Sequence, residues 1–207
     1  MIDRRAWPGA ILLAFAGIGI FLFAKPLALL PGTLLVCHLA FFRDPKRIPP
    51  QGNDFLSPAD GQVVEISNVF EDRYLKQEAV RIGIFLSIFV PHVNRSPIEG
   101  QVGYLHYQPG KFLNALGEES SRHNESNWIG IENQDTRILV RQIAGLIARR
   151  ICCDVSLNNN TARGEKIGII CYGSRVECYF PKRNFNPSIQ VGDHVKAGET
   201  ILGEWRA

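Results

Sequence analysis

A serine, a histidine and an aspartate are the residues whose side chains could together do chemistry in this sequence. Ser174 follows Gly173 in "YGSRV", His92 lies in "PHVNR", and Asp60 lies in "SPADG". A serine hydroxyl alone is a weak nucleophile, but a neutral histidine can take its proton and a carboxylate can orient the histidine. These residue types indicate an activated hydroxyl at Ser174, with His92 as its base and Asp60 as the support of that base.

Each of these residues also has an ordinary structural interpretation. Asp60-Gly61 is a typical turn pair, because an aspartate side chain bonds readily to the backbone just ahead of it. His92 can be a core or surface histidine, and Gly173-Ser174 can be a bulge between two strands. Residue types alone leave both interpretations open.

The elements that must position these residues are mainly β-strands. From residue 55 onward, short runs of strand-forming residues alternate with Gly, Pro and Asn. The candidate strands are 61–67, 81–88, 100–107, 127–133, 137–143, 165–172, 175–180 and 200–205. Residues 138–151 fit either a helix or strands, and Gly145 favours two strands or a bend. Alternation along 175–180 places Val176 and Phe180 in the core.

A short internal repeat indicates the kind of β domain. "RGEKI" (163–167) corresponds to "AGETI" (197–201), with Gly164 opposite Gly198. Units such as "VGDHVKAGETILG" are typical of barrel-sandwich domains of the biotinyl/lipoyl-like hybrid class, which predicts that fold here. The exposed turn lacks the lysine that carrier domains modify, so a swinging-arm carrier is not expected.

The N-terminal region has the composition of a membrane anchor. Residues 7–24 carry no charge, Lys25-Pro26 interrupts the run, and a second apolar run covers 27–42. Each run would span roughly 24–27 Å as a helix, slightly less than a bilayer core of about 30 Å. Basic residues flank both outer ends, which predicts a helical hairpin with both ends in the cytoplasm. A monotopic anchor, a cleaved signal peptide and a buried core helix are the alternatives.

We therefore expect a membrane-anchoring segment at 1–43, a proline-rich linker at 44–54 and a catalytic β domain at 55–207. The net charge of only +3 argues against a nucleic-acid binder. The five cysteines have neither disulfide-framework nor zinc-site spacing, so we expect reduced thiols and no metal.

Several motifs together resemble one family. "FFRDPKRIPP", "SPADG", "PHVNRSPIEG", "HYQPGKFLNA", "QIAGLIARRI" and "YGSRVECYFP" follow one another along nearly the whole chain. In this order they resemble the short form of phosphatidylserine decarboxylase.

The resemblance implies an enzyme that makes its own cofactor. Ser174 Oγ would attack the Gly173 carbonyl, and an N→O acyl shift followed by β-elimination would give chains 1–173 and 174–207. The second chain would begin with a pyruvoyl group derived from Ser174, whose carbonyl forms a Schiff base with the substrate amine. The resemblance implies that His92, with Asp60, serves maturation, turnover or both.

Further expectations also depend on the resemblance. The substrate would be phosphatidylserine in an anionic membrane, and the catalytic domain would lie on the cytoplasmic face of the cell membrane. Candidate substrate-binding residues are Lys111, His106, Arg122 and His123, and a homodimer is expected. Two alternatives remain: a pyruvoyl-dependent decarboxylase of a small soluble amino acid, and a non-catalytic barrel-sandwich module on a membrane anchor.

Overall fold

The first residues of the chain form apolar helices. In the computed structural model, which describes residues 1–113, 118–146, 150–171 and 173–205, the chain divides into two compact units, Met1–Lys46 and Arg47–Ala207. The helices of the first unit are α1 (Trp7–Phe23) and α2 (Leu29–Phe41), with 3-10 helices at Arg4–Ala6 and Lys25–Ala28. Both helices of the predicted hairpin are therefore present.

Local residue choices explain how these helices begin and meet. Pro8 stands in the first turn of α1, where its missing N–H costs no hydrogen bond. Asp3 caps the preceding turn by accepting a hydrogen bond from the Arg5 backbone N–H at 2.9 Å. The helices contact each other where Gly9 leaves room for the His38 ring, whose Nε2 lies 2.9 Å from the Ala6 carbonyl oxygen.

Most of the large apolar side chains of α1 are exposed. Ala10 is its buried residue, and the stretch Arg4–Phe23 is long and apolar enough to cross a membrane. Lys25–Phe41 is a shorter apolar helix. A helix that is apolar all round and largely exposed in the folded chain is typical of a membrane segment.

The second unit is built mainly from strands, which confirms the predicted mainly β class. Its described elements are β1 (Phe55–Leu56), β2 (Gly61–Glu71), β3 (Gln77–Leu86), β4 (Val93–Arg95), β5 (Gly100–Gln108), α3 (Glu118–His123), β6 (Ser126–Glu132), β7 (Arg137–Ala144), β8 (Arg150–Cys153), β9 (Asn160–Thr161), β10 (Lys166–Cys171), β11 (Ser174–Pro181), β12 (Phe185–Pro187), β13 (His194–Val195) and β14 (Ile201–Trp205).

The strands form one large sheet and two small ones. The eight-stranded sheet has the order β13-β2-β3-β11-β7-β6-β5-β9, and the three-stranded sheets have the orders β1-β14-β12 and β4-β10-β8. All of these strand pairs are antiparallel. The barrel-sandwich arrangement within this class stays a prediction.

The internal repeat has a structural counterpart. Gly164 and Gly198 both have left-handed backbones, with φ of +79° and +72°. Gly164 N–H donates to the Ser96 carbonyl, and Gly198 N–H donates to the Ser57 carbonyl, each at 2.8 Å. Ser57 and Ser96 begin the related sequences "SPADG" and "SPIEG", so two similar turn units face each other.

Strand β11 lies near the middle of the large sheet. Along its whole length it pairs with β3, and over most of its length with β7, with Ser174 opposite Leu86 on one side and Ala144 on the other. Val176 and Phe180 are fully buried in the main core, as predicted. Gly173, which precedes this strand and belongs to the predicted site, therefore sits where β3, β7 and β11 end together.

Some boundaries differ from the sequence predictions. Strand β3 begins before the predicted 81–88 and ends at Leu86, because the chain turns there, with Val90 N–H donating to the Ser87 carbonyl at 3.1 Å. The ambiguous stretch 138–151 is strand up to Ala144 and strand again from Arg150, with residues 147–149 outside the described part. Helix α3 was not predicted.

Candidate active site at Gly173–Ser174

Gly173 connects two strands in a conformation that favours glycine. Its φ is +71°, in the left-handed region, between the end of β10 and the start of β11. A Cβ atom built on residue 173 would meet only Ile88 Cγ2 among the described atoms within 4 Å, at an ordinary contact distance of 3.8 Å. The backbone angle, and not crowding, is therefore the reason for a glycine. Tyr172 lies outside the described residues.

Ser174 is buried with an unsatisfied hydroxyl. The residue is completely inaccessible to solvent, and its Oγ has no hydrogen-bond partner among the described residues. Leaving a buried polar atom unpaired costs about 1–3 kcal/mol, so such atoms are uncommon and often functional. With no partner among the residues that the structure describes, this hydroxyl can turn toward the neighbouring carbonyl.

His92 lies directly against the glycine. Its imidazole is fully buried, Nδ1 is 2.9 Å from the Val90 carbonyl oxygen, and Nε2 accepts a hydrogen bond from Gly173 N–H at 3.1 Å. A carbonyl oxygen can only accept, and an amide N–H can only donate. These partners assign a neutral ring with the proton on Nδ1 and a lone pair on Nε2 beside the Gly173-Ser174 bond.

The backbone around His92 explains how two distant segments meet. Strand β4 begins one residue later at Val93 and pairs with β10, and Ile170 N–H donates to the His92 carbonyl at 3.3 Å. Since β10 runs on toward Gly173, this pairing brings residues 92 and 173 together. The sequence prediction that His92 accompanies Ser174 agrees with this placement, although its chemical role stays a prediction.

Asp60 is held by a different set of partners. Its Oδ1 is 2.6 Å from Arg47 Nη2, and both side chains are almost completely buried. Burial raises the pKa of Asp60 above its ordinary value, and the Arg47 charge and a hydrogen bond from the Ala197 backbone oppose that rise only in part. The Asp60 turn is bonded to β4 through Arg95 N–H and the Pro58 carbonyl at 2.9 Å.

Asp60 and His92 therefore have different bonding partners. The carboxylate is paired with Arg47, and the position that a carboxylate would occupy at Nδ1 is taken by the Val90 carbonyl. The predicted support of His92 by Asp60 stays a prediction.

A row of side-chain amides was missed by sequence reasoning. Asn127 Nδ2 donates to Gln142 Oε1 at 2.9 Å, and Gln142 Nε2 donates to Asn94 Oδ1 at 2.7 Å, with all three residues buried. Gln142 stands opposite Val176, two pairs along from Ser174 and on the same face of the sheet, and Asn94 shares a strand face with His92. Asn94 Nδ2 has no hydrogen-bond partner among the described residues. In the sequence, only the strand alternation of "PHVNR" indicated that Asn94 lies on the same side as His92.

The opposite face of β11 carries a buried charge cluster. Glu177 is fully buried and accepts hydrogen bonds from Ser121 Oγ and Tyr179 Oη, both at 2.7 Å, and from Arg175 Nε at 3.0 Å. Arg141 Nη1 lies 3.5 Å away. Burial alone would raise the pKa of Glu177, but the charges of Arg175 and Arg141 and these hydrogen bonds outweigh it and hold the pKa below its ordinary value.

This cluster fixes the strand that begins at Ser174. Arg175 also bonds to Glu65 on β2, and Glu65 bonds to Arg81 on β3. The ion pairs therefore connect β11 to both neighbouring strands and to β2.

Of the predicted substrate-binding residues, three lie at the Ser174 end of the sheet. Lys111, Arg122 and His123 are exposed, and Lys111 N–H donates to the His123 carbonyl at 2.7 Å. The neighbouring Asn124 donates from Nδ2 to the Ala144 carbonyl at 2.7 Å, and Ala144 is the partner of Ser174.

His106, the fourth candidate, is placed elsewhere. It stacks on Tyr104, with ring centroids 6.3 Å apart, and Tyr104 packs against the aromatic cluster of Trp128 and Tyr179. That cluster covers the face of the sheet opposite the one that carries Ser174. The structure does not bring His106 together with the serine.

A cavity of about 270 Å³ lies at the far end of the sheet. Its lining includes Glu99, Asn133, Asp135 and Arg163, near the β6–β7 turn. Because Ser174 pairs with Ala144, at the other end of β7, this cavity is separate from the candidate site.

Comparison with known proteins identifies related chains. The family model for phosphatidylserine decarboxylase matches residues 34–203. A phosphatidylserine decarboxylase proenzyme from Carboxydothermus hydrogenoformans is 46% identical over 178 residues, covering 86% of this chain and 84% of the relative. Proenzymes of the same name from Nitrosomonas eutropha and Ralstonia nicotianae are 42% and 40% identical, covering 100% and 99% of this chain and 96% and 95% of the relatives.

Proposed function

This chain belongs to the phosphatidylserine decarboxylase family of carboxy-lyases, and we propose that it converts phosphatidylserine into phosphatidylethanolamine and CO₂ after cutting itself between Gly173 and Ser174. The observation that carries the proposal is the left-handed Gly173 followed by a buried serine hydroxyl with no partner in the described part of the chain. The His92 Nε2 lone pair accepts from the glycine N–H beside it. The relatives' name, proenzyme, also fits a chain that is processed.

The proposed cleavage needs only atoms of this chain and one water molecule. Ser174 Oγ bonds to the Gly173 carbonyl carbon, the peptide C–N bond breaks, and the hydroxyl proton passes to the released amine, which leaves an ester. Loss of the Ser174 α-proton then breaks the Cβ–Oγ bond and frees Gly173 as a carboxylate. Water replaces the resulting enamine nitrogen, which leaves as ammonia, and residue 174 keeps a pyruvoyl group.

His92 is the proposed proton carrier. Its Nε2 must give up the hydrogen bond from Gly173 N–H and accept one from the Ser174 hydroxyl. This change needs only a local movement, because the two donors belong to adjacent residues. The Val90 carbonyl keeps the other ring nitrogen protonated during this exchange. The same ring is positioned to return a proton in turnover, so His92 can serve maturation, turnover or both.

Asp60 is proposed to act on His92 and not directly on the Gly173-Ser174 bond. Its buried carboxylate lies on a turn bonded to β4, close to the strand that carries His92. The ion pair with Arg47 neutralises much of its charge, so support of His92 by Asp60 requires that this pair weaken during the reaction.

The residues around position 174 fit the pyruvoyl group that the family implies. When formed, the group supplies an electron-withdrawing carbonyl that condenses with the substrate amine and delocalises the charge left by CO₂. Residue 174 starts a strand paired on both sides, so its backbone is held by Leu86 and Ala144. Asn94 Nδ2, which has no partner among the described residues, can donate to an oxygen in the same core layer.

The lipid headgroup is proposed to meet the exposed cations of the β5–β6 connection. Lys111, Arg122 and His123 carry or can carry positive charge at the sheet end where Ser174 lies. Phosphate and carboxylate groups are the anions of the proposed substrate, and both pair with such side chains. His106 lies on the opposite face of the sheet, so we do not include it among the residues that bind the headgroup near Ser174.

The apolar helix Arg4–Phe23 supports a membrane location. We propose that it anchors the chain, with the β unit on the cytoplasmic face because basic residues flank both apolar runs. The proposed partners are phosphatidylserine in an anionic membrane, the two cleaved chains themselves and a second copy of the protein.

Intact-mass analysis of the purified full chain tests this function. We expect two polypeptides, 1–173 and 174–207, and a hydroxylamine or borohydride adduct on the smaller one. Ser174→Ala should give one uncut chain that does not decarboxylate phosphatidylserine, whereas Ser188→Ala, in the same segment, should be processed normally. A single-chain wild-type protein with full activity on the lipid would rule out the proposal. Activity on free serine but not on the lipid would favour the soluble-substrate alternative.

A further inference from the structure

Four exposed apolar side chains lie on loops around the candidate site. Ile88 and Phe89 are 46% and 79% exposed in the β3–β4 loop, Leu146 is 67% exposed after β7, and Phe112 is 36% exposed after β5. We call these four residues the apolar rim. Exposed side chains of this size on neighbouring loops of a soluble domain commonly mark an interaction surface.

The rim surrounds the bond that is proposed to break. Strands β3 and β7 end at Leu86 and Ala144, the two partners of Ser174, so the loops that follow them leave the sheet on either side of it. Ile88 Cγ2 would be 3.8 Å from a Cβ placed on Gly173. The rim therefore begins at the candidate site itself.

Exposed cations accompany the rim. Lys111 lies next to Phe112, and Arg122 and His123 end helix α3, which is bonded back to Lys111. Glu119 is an exposed carboxylate in the same connection. Protruding apolar side chains with adjacent Lys and Arg are the combination that binds the interface of an anionic bilayer.

We propose that the apolar rim inserts into the headgroup–acyl boundary of an anionic bilayer, forming an attachment of the β unit separate from the N-terminal helices. This inference rests on the proposed function, because a diacyl lipid keeps its headgroup at the bilayer surface. A rim at that depth brings Gly173-Ser174 to the level of the headgroup, so the lipid need not leave the membrane completely. The occupant is a lipid surface, and a second copy of the chain is the competing outcome.

Tryptophan fluorescence tests the depth of the rim. The full chain carrying Trp7→Phe, to remove the anchor's own signal, receives either Phe89→Trp or Phe70→Trp. Phe70 is 63% exposed but stands near the β2–β3 turn, away from the Ser174 end of the sheet. In phosphatidylcholine vesicles containing phosphatidylglycerol and brominated acyl chains, we expect strong quenching at residue 89 and little at residue 70.

Three results would overturn the proposal. These are equal quenching at both positions, absence of quenching at residue 89, and a shift of the residue 89 emission that depends on protein concentration without vesicles. The last result would assign the rim to contact between copies. Phosphatidylglycerol is anionic but carries no serine, so quenching with it reports surface binding and not occupation of a substrate site.

Activity measurements separate this inference from the proposed function. Phe89→Ser and Leu146→Ser should each lower the rate on vesicle-embedded phosphatidylserine about tenfold, since a factor of ten corresponds to roughly 1.4 kcal/mol of lost apolar burial. Both should leave the rate on monomeric short-chain phosphatidylserine near that of Phe70→Ser. An equal loss of rate on both substrates would contradict the rim proposal alone. Absence of decarboxylation by the wild-type protein would contradict the proposed function, and the quenching experiment would still test the rim.

Discussion

Replacing Gly173 by alanine should slow self-cleavage while leaving the mature enzyme unchanged. The glycine has a φ of +71°, and a residue with a Cβ is sterically disfavoured in that region of backbone conformation. Nothing else disfavours the methyl group, because its nearest described neighbour would be Ile88 Cγ2 at 3.8 Å. The substitution therefore tests backbone conformation with little steric disturbance.

The size of the effect follows from the cost of the left-handed region. That cost is about 1–2 kcal/mol for a residue with a Cβ, which reduces the population of the reactive turn about 5- to 30-fold. If cleavage proceeds from this turn, its rate should fall by the same factor. After cleavage residue 173 is a chain end with free backbone angles, so turnover per mature enzyme should not change.

The assay follows the appearance of chains 1–173 and 174–207 after synthesis, by gel or intact mass. Gly192→Ala is the matched control, because Gly192 also has a positive φ, +103°, and open space around it, but lies in a distant turn. Stability is compared in uncut Ser174→Ala backgrounds, where the alanine at residue 173 should lower Tm by about 2–8 °C.

Cleavage of Gly173→Ala at the wild-type rate, with Tm of the uncut form lowered as expected, would refute a role of the left-handed turn in cleavage. The left-handed turn would then be a feature of the resting chain and not of the reactive one. Slower cleavage of the Gly192→Ala variant would show that the cleavage rate depends on overall stability instead.

Two further substitutions test the histidine and the buried cluster. His92→Ala should slow cleavage about 10²- to 10⁴-fold, the usual contribution of a positioned base, with His194→Ala as an exposed control; normal cleavage with lost turnover would confine His92 to turnover. Glu177→Gln should lower the free energy of unfolding by about 3–5 kcal/mol at neutral pH, because Arg175 and Arg141 lose a buried partner. Since the folded-state pKa of Glu177 is lowered, the stability it supplies is present above the ordinary glutamate value of about 4.3 and lost as pH falls through the folded-state value. Denaturant titrations should therefore show the difference from wild type shrinking in acid, and a difference independent of pH, or one equalled by the exposed Glu78→Gln, would contradict the assignment.

Local sequence patterns predicted the strands well because alternation and turn residues act over a few positions. The Gly164 and Gly198 repeat was visible for the same reason, and both glycines have left-handed backbones. Helix α3 was missed, since its six residues, "EESSRH", carry no apolar periodicity. The short strands β12 and β13 were missed because two or three residues are too few to show alternation.

The candidate site was predictable only in part. Gly173-Ser174 is a local signal, whereas the residue type at His92 left its role open until the resemblance of "PHVNRSPIEG" to the family was considered. The amide row of Asn94, Gln142 and Asn127 could not be predicted, because each amide is an ordinary strand residue until its partner on another strand is known.

The sequence by itself determined that this chain has an apolar N-terminal segment, a mainly β body and a glycine–serine pair between two strands, because composition and short-range alternation express local preferences. Tertiary structure alone decided that the imidazole of residue 92 bonds to the amide of residue 173, that Asp60 pairs with Arg47, and that Glu177 is fully buried beside Arg141 of a neighbouring strand. Those outcomes depend on which distant strands pair, on the register of the pairing, and on opposite charges that stabilise a buried charged group. Neither the pairing nor the charge partner can be read from the residues next to each position in the sequence.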